Sequence, residues 1–469
     1  MTLRTRFAPS PTGFLHIGGA RTALFCHLHA RHNRGQWLLR VEDTDRERSS
    51  EEAVAVIIEG LRWLGLVADE GPYFQSRRTA RHLEVAHQLL DAGKAYRCYC
   101  TKEELDGMRE EQRARHEKPR YDGRCRRRQD PPPPGRPAVI RFITPQGGDL
   151  HFSDRIQGDI RYPNDELDDL ILVRSDGSPT YNLAVVVDDH DMGINFVVRG
   201  EDHLSNTPRQ IHLFQALGWE VPVYAHMPLL HGADGAKLSK RHGAVSVLHY
   251  RDAGFLPEAV NNYLVRLGWS HKDQEVFTME EMIRLFEIGE VGRSAAIFDL
   301  AKLEWLNGQH LRAASPERLA PLLVEALQRQ GIANPDPGLA KAVLPQFVER
   351  AKTLVEMAEK ARFYFLEAHP EFDPAAAAKH LTPPMAPPLQ ELRALLADAD
   401  PWDVTTVEAH FRTVLERHHL KTGQLAQPVR VALTGGTVSP GIFEVLHCLG
   451  RETSLARLDK AIAFLSRPG

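Results

Sequence analysis

Apolar positions in the first 90 residues alternate between short runs and helical spacing. Residues 20–32 place Leu24, Phe25 and Leu28 on one helical face. At the start of the helix predicted over 51–64, Ser49 and Glu52 have the spacing of a capping box. The pattern predicts strands at 3–7 and 37–41 and helices at 20–32, 51–64 and 77–90.

This alternation is interrupted and later resumes. A basic run at 120–128 and four prolines at 131–134 are typical of loops and would break a helix. Beyond them the pattern predicts a strand at 195–198, a helix at 208–217 and a further strand at 224–227. Strands that alternate with helices indicate a parallel, doubly wound sheet, and we expect residues from about 80 to 190 to form an insertion between its two halves.

Beyond about residue 250 the pattern is predominantly helical. The Pro/Ala-rich stretch 374–388 is expected to be a connector. Amphipathic spacing predicts helices near 258–267, 279–287, 316–329, 338–360, 386–397, 405–417 and 455–465. The predicted fold class is therefore an α/β N-terminal half, with a split Rossmann-type parallel sheet and an inserted α+β domain, followed by an all-α C-terminal half.

Composition excludes several classes of protein. A chain of 469 residues is expected to form two or more domains, and five cysteines do not make a disulfide framework. With no signal-like N-terminal segment and no apolar stretch of about 20 residues, we expect a cytoplasmic protein that does not enter membranes.

The net charge of −4 does not indicate nucleic-acid binding. However, residues 109–128 hold nine Lys/Arg and four Asp/Glu, which makes them a candidate phosphate-contact segment, although such runs are more often solvated surfaces.

The first candidate site is the run from Arg6 to Gly19, which reads RFAPSPTGFLHIGG. It joins a predicted strand to a predicted helix through a turn that contains proline and glycine. The free backbone N–H groups and the positive end of a helix dipole make such a junction suitable for an anion, and glycine lets a phosphate approach closely. The side chain of His16 adds a donor for charge that develops on a phosphoryl oxygen.

A second candidate site lies at 234–243, which reads DGAKLSKRHG. Lys237 and Lys240 flank a Leu-Ser pair in a loop bounded by glycines. A mobile cationic loop of this kind is suited to closing over a polyphosphate.

Together, and in this order, the two segments resemble the paired signatures of class I aminoacyl-tRNA synthetases, usually written HIGH and KMSKS. Here Gly19 stands at the fourth position of the first signature, and the second reads KLSKR at 237–241. The chain is more closely similar to bacterial glutamyl-tRNA synthetases over essentially its whole length. The further segments that carry this resemblance are VEDTD at 41–45, PTYN at 179–182, VDD at 187–189, RGEDH at 199–203, VRLGW at 265–269 and LEWLN at 303–307.

The resemblance implies a domain organisation. It assigns 1–80 and 190–245 to the two halves of a Rossmann-type catalytic domain and 81–189 to an inserted domain that binds the acceptor stem. Residues 246–325 would form a helical stem-contact region, and 326–469 a helical anticodon-binding domain. The implied partners are tRNA(Glu), ATP and L-glutamate, and the expected form is a monomer.

The resemblance also implies the chemistry. Glutamate would attack the α-phosphate of ATP, and the terminal ribose of the tRNA would then attack the acyl carbon of the glutamyl-adenylate. The implied catalytic residues are His16, Lys237 and Lys240. ATP would be bound by His16, Gly18, Asp202 and Lys240, together with Mg²⁺ that neutralises the triphosphate charge.

The glutamate pocket is implied by position and by charge. A dicarboxylate with an ammonium group needs cations and an anion, which arginine forks and a carboxylate supply. Arg6 and Arg199 suit the carboxylates, and Glu42 suits the ammonium group. The residues that match the glutamate-binding positions of similar enzymes are Arg6, Ala8, Ser10, Glu42, Tyr181 and Arg199.

Three cysteines form a candidate zinc site. Similar bacterial enzymes can hold Zn²⁺ with a Cys-x-Cys pair and a later Cys-x-His, and here Cys98, Cys100 and Cys125 match the first three ligands. Arg127 stands where the histidine is expected, and an arginine that stays protonated cannot ligate zinc. Asp130, His116 or a water could be the fourth ligand; alternatively, these are three free cysteines left after loss of the metal.

Arg350 matches a family position linked to reading the third anticodon base, at which the glutamate and glutamine anticodons differ. Its simpler interpretation is a solvated helix arginine.

The main alternative function is that of a non-discriminating enzyme, which also charges tRNA(Gln) with glutamate. The helical C-terminal half disfavours a glutaminyl-tRNA synthetase, and the chain length disfavours a truncated glutamyl-queuosine-type paralogue. A catalytically silent tRNA-binding protein is disfavoured by His16, Lys237 and Lys240.

Overall fold

The computed structural model describes residues 2–11, 13–44, 50–128, 134–238, 246–366 and 369–466. These residues form two compact units. The first lies within Met1–Arg251 and Pro257–Leu303, and the second within Asp252–Leu256 and Glu304–Gly469. In the described part of the chain, no helix combines the length and the apolar character needed to cross a bilayer.

The first unit contains a parallel three-stranded sheet in the order β1 (Arg4–Phe7), β2 (Gln36–Val41), β3 (Glu70–Phe74). Five of the six residues of β2 are buried. This near-continuous burial is typical of a parallel strand that is covered on both faces, and it explains why apolar and polar residues do not alternate along 37–41. Arg40, the one charged residue of the strand, is itself buried.

A second sheet has the order β7 (Gly158–Pro163), β6 (Asp149–Asp154), β10 (Val223–Met227), β9 (Phe196–Gly200), with only the β6–β7 pair antiparallel. Its strand β9 lies beside β1. The backbone N–H of Asn195 donates to Arg4 O at 3.1 Å, and farther along Cys26 Sγ lies near Arg6 O and Val198 O. The two strands therefore run in the same direction, and their carboxyl ends meet at one edge.

The segment between the two halves carries its own antiparallel sheet, formed by β4 (Ala95–Cys98), β5 (Val139–Phe142) and β8 (Ile171–Val173). The same segment also supplies the β6–β7 hairpin, whose strand β6 pairs with β10. A small parallel pair, β11 (Leu230–His231) and β12 (Ala296–Ile297), completes the strands of this unit among the described residues.

Helices cover the sheets of the first unit. Helix α2 (Glu51–Trp63) begins after Ser50, whose hydroxyl accepts a hydrogen bond from Ala53 N at 3.1 Å. The cap is therefore not the predicted Ser49, which lies outside the described residues. The helices up to residue 313 are α1 (Ile17–His32), α2 (Glu51–Trp63), α3 (Thr79–Asp91), α4 (Lys102–Ala114), α5 (Tyr181–Asp191), α6 (Thr207–Leu217), α7 (Val247–Asp252), α8 (Pro257–Arg266), α9 (Met279–Leu285) and α10 (Leu300–Ala313).

The second unit is helical throughout its described residues. Its amphipathic helices bury one apolar face each, as Leu389, Leu392 and Leu396 show. From residue 316 onwards the helices are α11 (Pro316–Arg329), α12 (Pro337–Val343), α13 (Leu354–Ala361), α14 (Pro374–His380), α15 (Ala386–Ala397), α16 (Val404–Arg417), α17 (Thr422–Thr434), α18 (Ile442–Leu449) and α19 (Arg451–Leu465). The predicted fold class is confirmed.

The single helix predicted at 338–360 is wrong. The chain forms α12, a short 3-10 turn at Leu344–Gln346, and then α13. Pro345 explains the break, because its ring removes a backbone donor and clashes with the preceding turn of an α-helix. The apolar spacing continues across the break, which is why the periodicity alone suggests one helix.

The connector predicted at 374–388 is also wrong. Pro374 starts α14, and the carboxylate of Asp373 caps the helix by accepting from Ala376 N at 2.7 Å. Proline is favourable in the first turn of a helix, where its missing N–H would have no partner, and alanine has the highest helix propensity. The run of prolines and alanines therefore marks helix starts.

We expect Gly435→Ala to destabilise the protein more than Gly331→Ala. Both glycines follow helices with positive φ, which costs an alanine about 1–2 kcal/mol. A Cβ at Gly435 would also lie 2.3 Å from Glu371 O, whereas a Cβ at Gly331 would have no atom within 4 Å among the described residues. Calorimetric unfolding midpoints measure the difference. Equal decreases would show that the backbone near Glu371 moves aside freely.

Candidate active site

One cavity of about 490 Å³ in the first unit is lined by the residues that the sequence predicts to bind substrates. It opens where β1 and β9 end and where α1 begins, which is the usual place for ligands in a parallel α/β sheet. Ten predicted residues line it: Arg6, Ala8, Ser10, His16, Gly18, Glu42, Tyr181, Arg199, Asp202 and Lys237. Lys240 lies outside the described residues.

His16 is the N-cap of α1. Its Nδ1 accepts a hydrogen bond from Gly19 N at 3.2 Å. A Cβ on Gly18 would lie 3.1 Å from the imidazole, so the glycine leaves room for the ring over the first turn. Burial lowers the pKa of His16, and the charge of Lys237 lowers it further, so the ring is neutral at pH 7.

Lys237 approaches the same end of the cavity. Its Nζ lies 3.5 Å from Asp202 Oδ2, and both side chains are substantially exposed. An exposed ion pair of this kind is weak, so the ammonium group is available to a stronger anion. Leu238, the next residue, also lines the cavity.

A buried cluster of charges holds the first predicted arginine. Arg6 Nε donates to Asp189 Oδ1 at 3.0 Å, and Arg40 Nη1 donates to the same oxygen at 2.6 Å. Arg40 also reaches Glu42 Oε1 at 3.3 Å. Burial would raise the pKa of Asp189, but the two guanidinium groups outweigh it and lower the pKa. For Glu42, burial outweighs the arginines and raises the pKa.

Arg199 is held by a second network. Its Nε donates to His226 Nε2 at 3.0 Å, and its Nη2 donates to Thr207 Oγ1 at 2.7 Å. His226 Nδ1 in turn lies 2.6 Å from Asp154 Oδ2. The remaining nitrogen of Arg199, Nη1, is buried and has no hydrogen-bond partner among the described residues.

Tyr181 stands at the start of α5. Its hydroxyl lies 2.9 Å from His203 Nδ1, and both rings line the cavity. Burial, with the charge of Arg199, lowers the pKa of His203 to about 4. The cavity therefore combines neutral histidines with charged arginines and carboxylates.

The three predicted cysteines lie together, apart from the residues that line this cavity. The sulfur atoms of Cys98, Cys100 and Cys125 are all within 4.8 Å of one another. The hydroxyl of Tyr121 lies 3.4 Å from Cys98 Sγ and accepts from Cys125 N at 3.0 Å. Tyr121 is not predictable from the sequence, because a tyrosine is an uncommon metal ligand and nothing in the cysteine spacing indicates it.

The basic segment 109–128 has fewer unpaired positive charges available to a phosphate than its composition suggests. Five of its nine cations form ion pairs with carboxylates, most of them at exposed positions. These cations are Arg109, Arg115, Lys118, Arg124 and Arg126.

Arg350 belongs to the second unit, where it is exposed in the turn that precedes α13 and not on a helix.

The partners of the two arginines are likewise not predictable from the sequence. Asp189 is part of the VDD segment, but the segment alone does not show that its carboxylate faces Arg6. Asp154 and His226 carry no motif signal at all. Only the pairing of β6 with β10 brings them together.

The comparisons with known proteins agree with this geometry. Residues 2–305 match the family model described as tRNA synthetases class I (E and Q), catalytic domain, and residues 317–462 match the model of an anticodon binding domain. The chain is a member of the class I aminoacyl-tRNA synthetases.

Curated relatives define the family more narrowly. The chain is 58% identical to the glutamate–tRNA ligase of Magnetococcus marinus, over 99% of this chain and 98% of that protein. It is 53% identical to glutamate–tRNA ligase 1 of Alkalilimnicola ehrlichii, over 99% and 98%. The crystal structure of a glutamate–tRNA ligase from Elizabethkingia meningosepticum, in complex with its amino acid, superposes with a TM-score of 0.88 at 33% identity, covering 99% of this chain and 100% of that one. The chain therefore belongs to the glutamate–tRNA ligase family.

We expect Asp189→Asn to lower the stability of the first unit by about 3–5 kcal/mol, because it leaves two buried guanidinium groups without their shared carboxylate. Asp191→Asn is the matched control. Asp191 is also on α5 but pairs with Arg78 and Arg81 near the surface, and its loss should cost about 0–1 kcal/mol. Calorimetry measures both changes. A small effect of Asp189→Asn would contradict the role given to this carboxylate.

Proposed function

We propose that the cavity binds L-glutamate and ATP, forms glutamyl-adenylate, and transfers the glutamyl group to the 3′-terminal ribose of tRNA(Glu). One observation carries the proposal. Two anchored arginines, the carboxylates of Glu42 and Asp202, and the N-terminus of a helix face a single cavity at the carboxyl edge of a parallel sheet. Since tRNA charging serves translation, we expect the enzyme to act in the cytoplasm.

Glutamate would occupy the part of the cavity between β1 and β9. The guanidinium groups of Arg6 and Arg199 suit the two carboxylates, and Glu42 suits the ammonium group. The unpartnered Nη1 of Arg199 supports this assignment, because a buried donor without an acceptor is costly unless a ligand supplies one. Tyr181 would form a wall, and Ala8 and Ser10 would line the strand side.

ATP would lie over the N-terminus of α1. Gly18 allows close approach of the phosphates, and the helix dipole favours their charge. Lys237 would exchange Asp202 for a phosphate oxygen, and Lys240 would assist from the same loop. Asp202 would then be free for the nucleotide. Mg²⁺ would enter with the triphosphate and neutralise part of its charge, and no protein ligand is assigned to it.

The chemistry needs no covalent enzyme intermediate. A carboxylate oxygen of glutamate attacks the α-phosphorus, and the bond to the pyrophosphate oxygen breaks. The ribose hydroxyl then attacks the acyl carbon, and AMP leaves. His16 and the two lysines would stabilise negative charge on the phosphoryl oxygens, where losing one such donor typically costs about 3–4 kcal/mol of barrier.

The remaining domains would contact the tRNA. Residues 81–189 would receive the acceptor stem, 246–325 would contact the stem region, and 326–469 would bind the anticodon. In the last domain Arg350 is exposed, so its guanidinium group is available to a base edge. We propose that it contributes to recognition of the third anticodon base.

Charging assays test the proposed function. We expect labelled glutamate to be attached to purified tRNA(Glu) in the presence of ATP and Mg²⁺, and not to tRNA(Gln). Charging of both tRNAs would agree with the proposed reaction but contradict the proposed role of Arg350. Charging of neither would contradict the proposed substrates, provided that the tRNAs accept amino acids from a reference enzyme.

We also propose a structural zinc ion at the cysteine cluster. In a tetrahedral site with Zn–S bonds of about 2.3 Å, the sulfur atoms lie about 3.8 Å apart. The observed distance of 3.5 Å between Cys100 Sγ and Cys125 Sγ is close to this value. The hydroxyl oxygen of Tyr121 lies 3.4 Å from Cys98 Sγ, and it would take the position that Arg127 cannot fill.

We expect the purified protein to contain close to one zinc ion per chain, and Cys125→Ser to lose most of it because three ligands must converge for tight binding. Cys448→Ser, which changes a cysteine of the second unit, is the control and should keep the metal. Tyr121→Phe should release zinc faster to a chelator. Elemental analysis measures the content. Wild-type protein without zinc after growth in zinc-containing medium would favour three free cysteines.

A further inference from the structure

Arg199 has three nitrogen atoms, and two of them are committed to the protein. Nε donates to His226 and Nη2 donates to Thr207. The guanidinium carbon also lies 5.3 Å from the centre of the Tyr224 ring, within the range of a cation–π interaction. Nη1 is the one nitrogen of the three with no hydrogen-bond partner among the described residues, so it is free for a ligand and its direction is set by the groups that hold the other two nitrogens.

His226 can hold Nε only in one protonation state. To accept a hydrogen bond at Nε2, the ring must be neutral and must carry its proton on Nδ1. Asp154 selects this tautomer, because its Oδ2 lies 2.6 Å from Nδ1 and a carboxylate can only accept. Burial lowers the pKa of His226, which agrees with a neutral ring.

Asp154 is itself fixed. Its Oδ1 accepts from the backbone N–H groups of Ile156 and Gln157 at 2.9 and 2.8 Å, and the backbone N–H of His226 donates to the carboxylate at 3.1 Å. The side-chain amide of Gln157 donates to His226 O at 2.9 Å. A turn after β6 and the strand β10 thus form a rigid support below Arg199.

We propose that His226, oriented by Asp154, is a positioning residue that aims Nη1 of Arg199 at a carboxylate of the amino-acid substrate. The inference rests on the proposed function, since it assumes that the cavity takes glutamate. His226 acts through Arg199 and does not line the cavity itself. Its loss therefore affects glutamate binding and leaves ATP binding unchanged.

Two substitutions separate the contact of Nδ1 with Asp154 from the contacts of Nε2, where Thr207 Oγ1 also lies 3.0 Å away. His226→Asn places an amide at the Nδ1 position, which keeps the bond to Asp154 and loses the acceptor for Arg199. His226→Gln places an amide oxygen near the Nε2 position, which keeps that acceptor. We expect His226→Asn to raise the KM for glutamate about tenfold with the KM for ATP within twofold of wild type, and His226→Gln to stay within about threefold for both.

A double-mutant cycle tests whether His226 acts through Arg199. If it does, His226→Asn should raise the KM for glutamate little further in an Arg199→Ala background, because the group it aims is gone. His212→Asn, at a buried histidine that pairs with Asn164, is the control and should leave both KM values unchanged. Steady-state charging of saturating tRNA(Glu) gives all of these values, and unfolding midpoints confirm that each variant is folded.

Three outcomes would overturn the inference. These are equal effects of Asn and Gln at position 226, equal effects on glutamate and ATP, and additive effects in the double mutant. Failure of the wild-type enzyme to charge tRNA(Glu) would instead contradict the proposed function. The two failures are therefore distinguishable in one set of assays.

Discussion

The carboxylate of Asp189 is the interaction on which the rest of the site depends. It sits between two buried guanidinium groups, and its helix α5 is thereby tied to β1 and β2. Glu42 supplies a second negative charge, so the cluster of two arginines and two carboxylates is neutral as a whole. A neutral cluster can stay buried, whereas any three of its members would leave a net charge in an apolar surrounding. The position of Arg6 at the cavity follows from this balance.

The residues that face the cavity were largely predictable from the sequence, and those that hold them were not. His16, Gly18 and Arg6 lie in one strand–turn–helix unit, so local patterns are sufficient to bring them together. Asp189 is 183 residues from Arg6, and Asp154 is 72 residues from His226. No periodicity links such distant positions. They meet only in the folded chain, where α5 lies against β1 and β6 pairs with β10, and one sequence does not determine which elements become neighbours.

The prolines of the helical half show a similar limit to what the sequence pattern can predict. Of the nine described helices from α11 to α19, the apolar spacing correctly predicts α11, α15, α16 and α19. It does not distinguish a proline that breaks a helix from one that begins it. Pro345 ends the helical hydrogen bonding after α12, while Pro374 follows a capping aspartate and starts α14. The difference lies in the residue before the proline, because a cap supplies the acceptor that the first turn needs. Asp373 is therefore the informative residue in that segment.

The cap of α1 has a consequence for the direction of proton donation. His16 Nδ1 accepts from the backbone of Gly19, so in the neutral ring the proton resides on Nε2. The helix start thereby selects the tautomer, and the only N–H of the ring is directed away from the helix that it caps. The backbone amide of Gly19 therefore determines which nitrogen of His16 can donate a proton. Any change that unwinds the first turn would remove that constraint and leave both tautomers available to the ring.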